Sequence, residues 1–258
     1  MRTLFRRALL ALVLALSFVA AAAVLAQERE ITVSAAISLK EAVEEAAAAY
    51  QKAKPGSKVI CNFGSSGTLQ HQIEQGAPVD VFISASPKQM DELEVKGLLL
   101  GGTRMDLLTN TVVLIAPRDS TLVTSFQDLA RPEVNRVALG EPNTVPAGTY
   151  AQQVLEYLKI LDRVRAKAVY AKDVRQVLTY VETGNVDAGI VYVTDARTSE
   201  KIKVVAAAPS GSHTPVIYPV AGVKATRQEA VARDFVQFLS GSAARGIFEK
   251  YGFGTAPL

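Results

Sequence analysis

Hydrophobic and polar positions change their spacing repeatedly along the chain, and the first clear change lies between residues 31 and 50. Residues 31–33 alternate and are β-branched, which predicts a strand. From Leu39 onward the apolar positions recur every three or four residues, which predicts a helix. Ser38 lies at the change, and Glu41 completes a Ser-x-x-Glu capping box, so the helix is predicted to start at Ser38.

The same order of strand, small polar turn and helix recurs three more times. Helices are predicted to start at Ser66, Ala147 and Val174, with Ser66 and Asp173 as N-caps. A helix start exposes backbone N–H groups at the positive end of the helix dipole, although one such start alone is ordinary. Four starts that converge on a cleft would surround an anion with N–H groups and hydroxyls, without a cation. A fully ionised dianion suits such a site, because each of its oxygens can accept a hydrogen bond.

Strands alternate with helices throughout the chain after residue 27, which predicts an α/β fold with largely parallel sheets flanked by helices. Two largely apolar segments, 111–116 and 216–223, are predicted to cross between two lobes. The first lobe would then comprise residues 27–110 and 220–258, and the second lobe residues 111–219.

The first 26 residues have the pattern of a secretory signal peptide. Three arginines precede the apolar run 8–24, and cleavage is expected after Ala26. The whole chain has 28 Lys and Arg against 25 Asp and Glu, and the three arginines of this segment account for the excess. The apparent basicity therefore belongs to the export signal and does not indicate a nucleic-acid partner.

The number and position of cysteines indicate whether a lipid anchor or a disulfide is expected. The single cysteine, Cys61, lies in a predicted strand and not at the processing junction. We therefore expect a protein released into the periplasm, without a lipid anchor and without an internal disulfide.

Residues suited to catalysis are scarce. The two histidines, His71 and His213, have unlike surroundings, and no His or Cys spacing is typical of a metal site. The sharpest enzymatic alternative is an exported serine hydrolase that uses Ser66 with His71. It is disfavoured because a histidine five residues along the same helix points away from the turn. The sequence predicts binding rather than catalysis, with no cofactor.

Several ordered motifs in the mature chain resemble one known family. They are Ala-Ala-Ile-Ser-Leu at 35–39, Phe-Gly-Ser-Ser-Gly-Thr-Leu at 63–69, the run 75–85, Val-Pro-Ala-Gly-Thr-Tyr at 145–150, Lys-Asp-Val-Arg at 172–175, Gly-Ile-Val-Tyr at 189–192 and the ending 247–253. With these motifs the chain resembles the periplasmic molybdate-binding proteins of ABC transporters. It departs from that pattern at Ile37 and Gly67, where relatives often carry alanine and serine.

The resemblance implies a type II periplasmic binding protein that closes on molybdate or tungstate and delivers it to a membrane permease and its ATPase. It implies a monomer in which molybdenum is present only within the bound oxyanion, with no direct protein ligand. The ligand donors that it implies are the hydroxyl and N–H of Ser38 and Ser66, the N–H of Ala147 and Val174, and the hydroxyl of Tyr192.

Three alternatives remain open from the sequence. Another oxyanion such as sulfate could occupy the same site, and the exported hydrolase described above is less favoured. A ferric-iron binder of this architecture would need clustered tyrosines and carboxylates, which Tyr192 alone does not supply.

Overall fold

The computed structural model describes residues 29–256, so the predicted signal peptide and its cleavage site lie outside the described residues. Within the described range, no helix is long and apolar enough to cross a membrane. The strands, numbered β1 to β11 in chain order, are Arg29–Ala36, Ser57–Gly64, Val81–Ile83, Met105–Thr109, Val112–Pro117, Val137–Gly140, Ala168–Ala171, Ala188–Tyr192, Ile202–Ala207, Ile217–Gly222 and Gly254–Thr255.

Helices fill most of the connections between these strands. The α-helices, numbered α1 to α9, are Lys40–Ala53, Ser66–Glu74, Pro87–Val95, Pro146–Tyr157, Leu161–Arg165, Val174–Glu182, Val193–Ala196, Glu229–Ser240 and Ser242–Lys250. Two short 3₁₀ helices, Ile37–Leu39 and Phe126–Ala130, complete the helical elements of residues 29–256.

The strands form two separate sheets. The first has the order β11-β4-β10-β3-β1-β2, and the second has the order β7-β6-β8-β5-β9. We call each sheet, with the helices that pack on it, the first lobe and the second lobe. This two-sheet α/β architecture agrees with the predicted fold class.

Both sheets are mixed, whereas the sequence predicted largely parallel sheets. In the first sheet β1 runs parallel to β2 and β3, but β10 runs antiparallel to β3 and β4. In the second sheet β6 runs parallel to β7 and β8, but β5 runs antiparallel to β8 and β9. The antiparallel strands β5 and β10 follow the two passages between the sheets, where no βαβ crossover imposes a parallel direction.

The chain passes between the sheets at different residues from those predicted. β4 ends at Thr109 and β5 begins at Val112, and the chain returns between the end of β9 and Ile217. The predicted crossings 111–116 and 216–223 therefore coincide largely with the strands β5 and β10. The apolar residues of these segments form buried strands and not the passages between the lobes. Because Ile217 pairs with Thr109, residues 217–219 lie in the first sheet, ahead of the predicted boundary at 220.

Helix α8 packs on the first lobe. The ring of Tyr50 in α1 makes edge contacts with Phe235 and Phe238 of α8, at 5.0 and 5.3 Å between ring centroids. Its hydroxyl donates to Asp234 over 2.9 Å. Since Tyr50 is 1% exposed, these contacts join the first and last parts of the described chain through buried aromatic surface.

Candidate functional site

The first helix start differs from its prediction, because Ser38 does not cap a helix. The chain leaves β1 through the 3₁₀ turn Ile37–Leu39, and neither this turn nor α1 has a side-chain cap. The Ser38 Oγ lies 3.1 Å from the Tyr218 Oη, and the Glu41 carboxylate bonds Arg175 over 2.6 Å. A charge-assisted bond to arginine is stronger than the backbone bond of a capping box, so Glu41 faces Arg175. Ser38 is nevertheless in the first turn of a helical segment.

At the second start, the N-cap is Ser65 and not Ser66. The Ser65 Oγ accepts from the Thr68 N–H over 3.4 Å, and Ser66 is the first helical residue of α2. The buried Ser66 Oγ accepts from the Ala85 N–H over 2.9 Å. Two adjacent serines offer the same capping chemistry, so the sequence did not separate them. The Ala85 N–H donates to the oxygen of the Ser66 hydroxyl. The proton of that hydroxyl is therefore available for another acceptor.

The two helix starts of the second lobe agree with prediction. Ala147 follows Pro146, the first residue of α4, and Val174 is the first residue of α6. The Asp173 side chain caps α6 by accepting from the Gln176 N–H over 2.9 Å, which turns its carboxylate into its own helix. Backbone N–H groups in a first turn have no acceptor within their helix, so those of Ala147 and Val174 can serve a ligand.

Tyr192 ends β8 with a buried hydroxyl that has no hydrogen-bond partner among the described residues. Its ring is held by edge contacts with Tyr150 and Tyr218, at 6.4 and 5.9 Å between centroids. Burial raises the pKa of Tyr192 well above its ordinary value, so the phenol keeps its proton and acts as a donor. An unpaired buried hydroxyl costs roughly 1–3 kcal/mol. A ligand that accepts from it would remove that cost.

These groups meet at a small cavity between the lobes. Its volume is about 10 Å³, about the room that one water molecule needs. The lining residues are Ile37, Ser38, Ser65, Ala85, Val145, Pro146, Ala147, Val174 and Tyr192. Four of the five predicted ligand residues are in this set. Ser66 is not among the lining residues. Its hydroxyl accepts a hydrogen bond from the N–H of Ala85, which does line the cavity.

The lining contains no charged side chain. The nearest cation along the chain, Arg175, is occupied by Glu41 and by Asp195, whose Oδ1 lies 2.8 Å from the arginine Nε. Burial raises the pKa of the Asp195 carboxyl to about 6, although the Arg175 charge opposes the shift. The polar groups left for a ligand are therefore neutral N–H and O–H donors.

Two contacts join the lobes beside the cavity. The Gly67 N–H donates to the Thr144 carbonyl over 2.9 Å, and Arg175 of α6 pairs with Glu41 of α1. A Cβ at position 67 would lie 2.7 Å from the Thr144 Cα and O. Glycine at this departure from the family pattern thus allows a close backbone approach.

The geometry does not support a hydrolase. The His71 ring is exposed and lies 3.5 Å from Glu74, while the Ser66 hydroxyl bonds Ala85. Ser66 therefore lacks the base that a nucleophile needs. Over residues 29–256, no group of three or more His, Cys, Asp or Glu residues could hold a metal ion.

Sequence reasoning missed two residues that bear on the site. The buried Tyr218 and the half-buried Asn110 form a hydrogen-bonded pair behind Ser38, with 3.1 Å between the Asn110 Nδ2 and the Tyr218 Oη. The available signal was a polar hydroxyl within the otherwise apolar segment 216–223.

Two mixed sheets joined by two passages, with a neutral cavity between them, define the class of two-lobed solute-binding proteins. Residues 31–254 match the family model described as bacterial extracellular solute-binding protein, and the chain belongs to this family. The prediction that the chain is not an enzyme is thereby confirmed, and the family places it among extracytoplasmic binding proteins.

The chain is also similar to individual proteins, both in sequence and in structure. The chain is 44% identical over 224 residues to the putative ABC transporter substrate-binding lipoprotein YvgL of Bacillus subtilis, covering 86% of this chain and 85% of the relative. It is 42% identical over 244 residues to the molybdate-binding protein ModA of Escherichia coli, covering 93% and 94%. The solved periplasmic molybdate-binding protein of Azotobacter vinelandii superposes with a TM-score of 0.80 at 27% identity, covering 88% of this chain and all of that chain.

Proposed function

We propose that this chain captures molybdate between its two lobes and delivers it to an ABC permease. The observation that carries the proposal is the uncharged cavity, to which both lobes contribute hydrogen-bond donors. Similarity to proteins named molybdate-binding, over more than nine-tenths of the chain in one case, supports the choice of ion.

The donor set consists of the hydroxyls and N–H groups of Ser38 and Ser66, the N–H groups of Ala147 and Val174, and the hydroxyl of Tyr192. An anion with no proton can accept from every one of these groups. A protonated oxyanion such as hydrogen phosphate carries one O–H that needs an acceptor. The uncharged lining offers no carboxylate for that purpose, so hydrogen phosphate would leave its own donor unpaired.

Capture proceeds by closure. The open form presents Ser38 and Ser66 on the first lobe, and the bound ion then recruits Ala147, Val174 and Tyr192 from the second. Closure also forms the Gly67–Thr144 bond and the Arg175–Glu41 pair, which add interactions that an open form lacks. Tungstate fits the same cage, whereas the shorter bonds of sulfate leave some rigid N–H groups too far from its oxygens.

The cellular setting follows from the same proposal. Residues 1–26 direct export and are removed after Ala26, and the mature monomer works in the periplasm with a permease and its ATPase. Although one relative is named a lipoprotein, Cys61 of this chain lies within β2 and is the only cysteine of the sequence, so no lipid anchor is proposed.

Calorimetric titration of the mature protein with molybdate, tungstate, sulfate and hydrogen phosphate tests the proposal. We expect saturable one-to-one binding of molybdate and tungstate, weaker binding of sulfate and the weakest binding of hydrogen phosphate. A Ser38→Ala variant should bind molybdate roughly tenfold or more weakly, the effect of one donor to a charged ligand. Stronger binding of sulfate than of molybdate would replace the proposed ion, and no binding of any oxyanion would overturn the proposal.

A further inference from the structure

A chain of hydrogen bonds leads from the passage between the sheets to the cavity. Asn110 lies between β4 and β5, and its Nδ2 is 3.1 Å from the Tyr218 Oη and 2.9 Å from the Thr194 Oγ1. The Tyr218 Oη in turn is 3.1 Å from the Oγ of Ser38, which lines the cavity. Tyr218 is fully buried and Ser38 is 3% exposed, so little water reaches the bond between them.

The orientation of the Asn110 amide gives the chain a direction. Its Oδ1 accepts from the Thr111 N–H over 2.8 Å, which leaves the Nδ2 as the group that faces Tyr218 and Thr194. An amide nitrogen can only donate. Tyr218 therefore accepts from Asn110.

The position of the tyrosine proton follows. Burial raises the pKa of Tyr218 well above its ordinary value, so the phenol stays protonated. Its hydroxyl has two partners among the described residues, and Asn110 cannot accept. A buried donor seeks an acceptor, so Tyr218 donates to the Ser38 Oγ. Ser38 then has its own proton free to point at the ligand.

We propose that Tyr218, oriented by Asn110, is a positioning residue that makes Ser38 donate to the bound ion and thereby disfavours protonated oxyanions. This inference rests on the proposed function, because it concerns the selectivity of the same cavity. Without Tyr218 the Ser38 hydroxyl could rotate and accept a hydrogen bond from the O–H of a ligand such as hydrogen phosphate. Ser66 has the matching arrangement, with Ala85 as its donor, so both serines present O–H groups.

A double-mutant cycle tests whether Tyr218 acts through Ser38. Molybdate affinity is measured by calorimetry for the wild type, Tyr218→Phe, Ser38→Ala and the double variant. We expect Tyr218→Phe to weaken binding about tenfold in the wild type. In the Ser38→Ala background the same change should alter affinity less than about twofold, since no serine hydroxyl remains to be directed. Additive losses, or no loss in Tyr218→Phe, would overturn the inference.

Competition by inorganic phosphate measures the preference between the two ions. This preference would not change if Tyr218 had only a structural role. Tyr218→Phe should lower the preference for molybdate over phosphate about tenfold, because only molybdate requires Ser38 as a donor. An equal loss of affinity for both ions would count against the proposed role.

The matched control is Tyr50→Phe. It removes another buried, hydrogen-bonded tyrosine hydroxyl of the first lobe, whose partner is Asp234, and should leave both affinities unchanged. Absence of molybdate binding by the wild type would overturn the proposed function and this inference together. Wild-type binding with additive losses would overturn the inference alone.

Discussion

In the proposed site, the first lobe contributes serine hydroxyls, whereas the second lobe contributes backbone N–H groups and one tyrosine hydroxyl. The hydroxyls of Ser38 and Ser66 each have a buried partner in their own lobe, Tyr218 and Ala85. The N–H groups of Ala147 and Val174 need no such partner, because the helix fixes their direction. A hydroxyl can rotate and an amide cannot, so the serine hydroxyls of the first lobe need neighbouring residues to orient them, whereas the two N–H groups of the second lobe do not.

The comparison predicts that the first lobe is more sensitive to side-chain truncation, and Ser66→Ala should have the largest effect. It removes a donor and leaves the buried Ala85 N–H without its acceptor, so affinity for molybdate should fall by roughly 2–3 kcal/mol. Calorimetry measures the affinity, and thermal unfolding should show a loss of stability as well. Ser65→Ala is the matched variant, because it removes the helix cap but no proposed ligand donor. A larger affinity loss in Ser65→Ala would show that the neighbouring serine binds the ion.

In the second lobe, an effect of similar size requires a change to the backbone itself. Val174→Pro removes one N–H at the first position of α6, where proline is well tolerated. The preceding Asp173 is already extended, at φ −158° and ψ 169°, as a residue before proline prefers. We expect an affinity loss of about 2 kcal/mol for Val174→Pro.

Val174→Ala is the control for that change, since it keeps the N–H and shortens only the side chain. It should reduce stability while affinity stays within about 0.5 kcal/mol of the wild type. Equal affinities of the proline and alanine variants, both close to the wild type, would contradict the role of this amide.

Tyr192 is the side-chain donor of the second lobe, and its removal should separate binding from stability. The hydroxyl has no partner among the described residues, so Tyr192→Phe should leave the unliganded protein as stable as the wild type or more stable. Molybdate affinity should nevertheless fall by about 1.5 kcal/mol. Thermal unfolding with and without molybdate gives both quantities. Loss of stability without loss of affinity would assign the hydroxyl a structural role instead.

The smallest expected effect concerns the approach of the lobes. Gly67→Ala would place a Cβ 2.7 Å from the Thr144 backbone, so the closed form should lose about 1 kcal/mol relative to the open form. The measurement is the molybdate dissociation rate, which should rise. Gly246→Ala in α9 is the control, because nothing lies within 4 Å of its added Cβ. An unchanged rate in Gly67→Ala would mean that the two backbones need not approach this closely.

Local sequence patterns predicted where helices start. They did not predict as well which groups the residues at those starts form hydrogen bonds with. The starts near Ser66, Ala147 and Val174 were correct to within one residue, because small residues, proline and aspartate act locally. The capping role of Ser38 was wrong, because its partner Tyr218 is 180 residues away in the chain. No periodicity within one element carries that information.

Local patterns in the sequence did not predict strand direction or identify the full set of ligand residues. The apolar run 217–222 indicated burial but not its antiparallel pairing with β3 and β4, which depends on how the chain returns between sheets. The five proposed ligand residues came from the family resemblance, although four of them coincide with helix starts found from the pattern alone.

X-ray diffraction at the molybdenum absorption edge, from crystals grown with molybdate, tests the central claim most directly. The account predicts one anomalous peak in the cavity between the lobes, with the ion's oxygens within hydrogen-bond distance of Ser38, Ser66, Ala147, Val174 and Tyr192. A peak outside this cavity, or an ion held there by an arginine or lysine side chain, would contradict it.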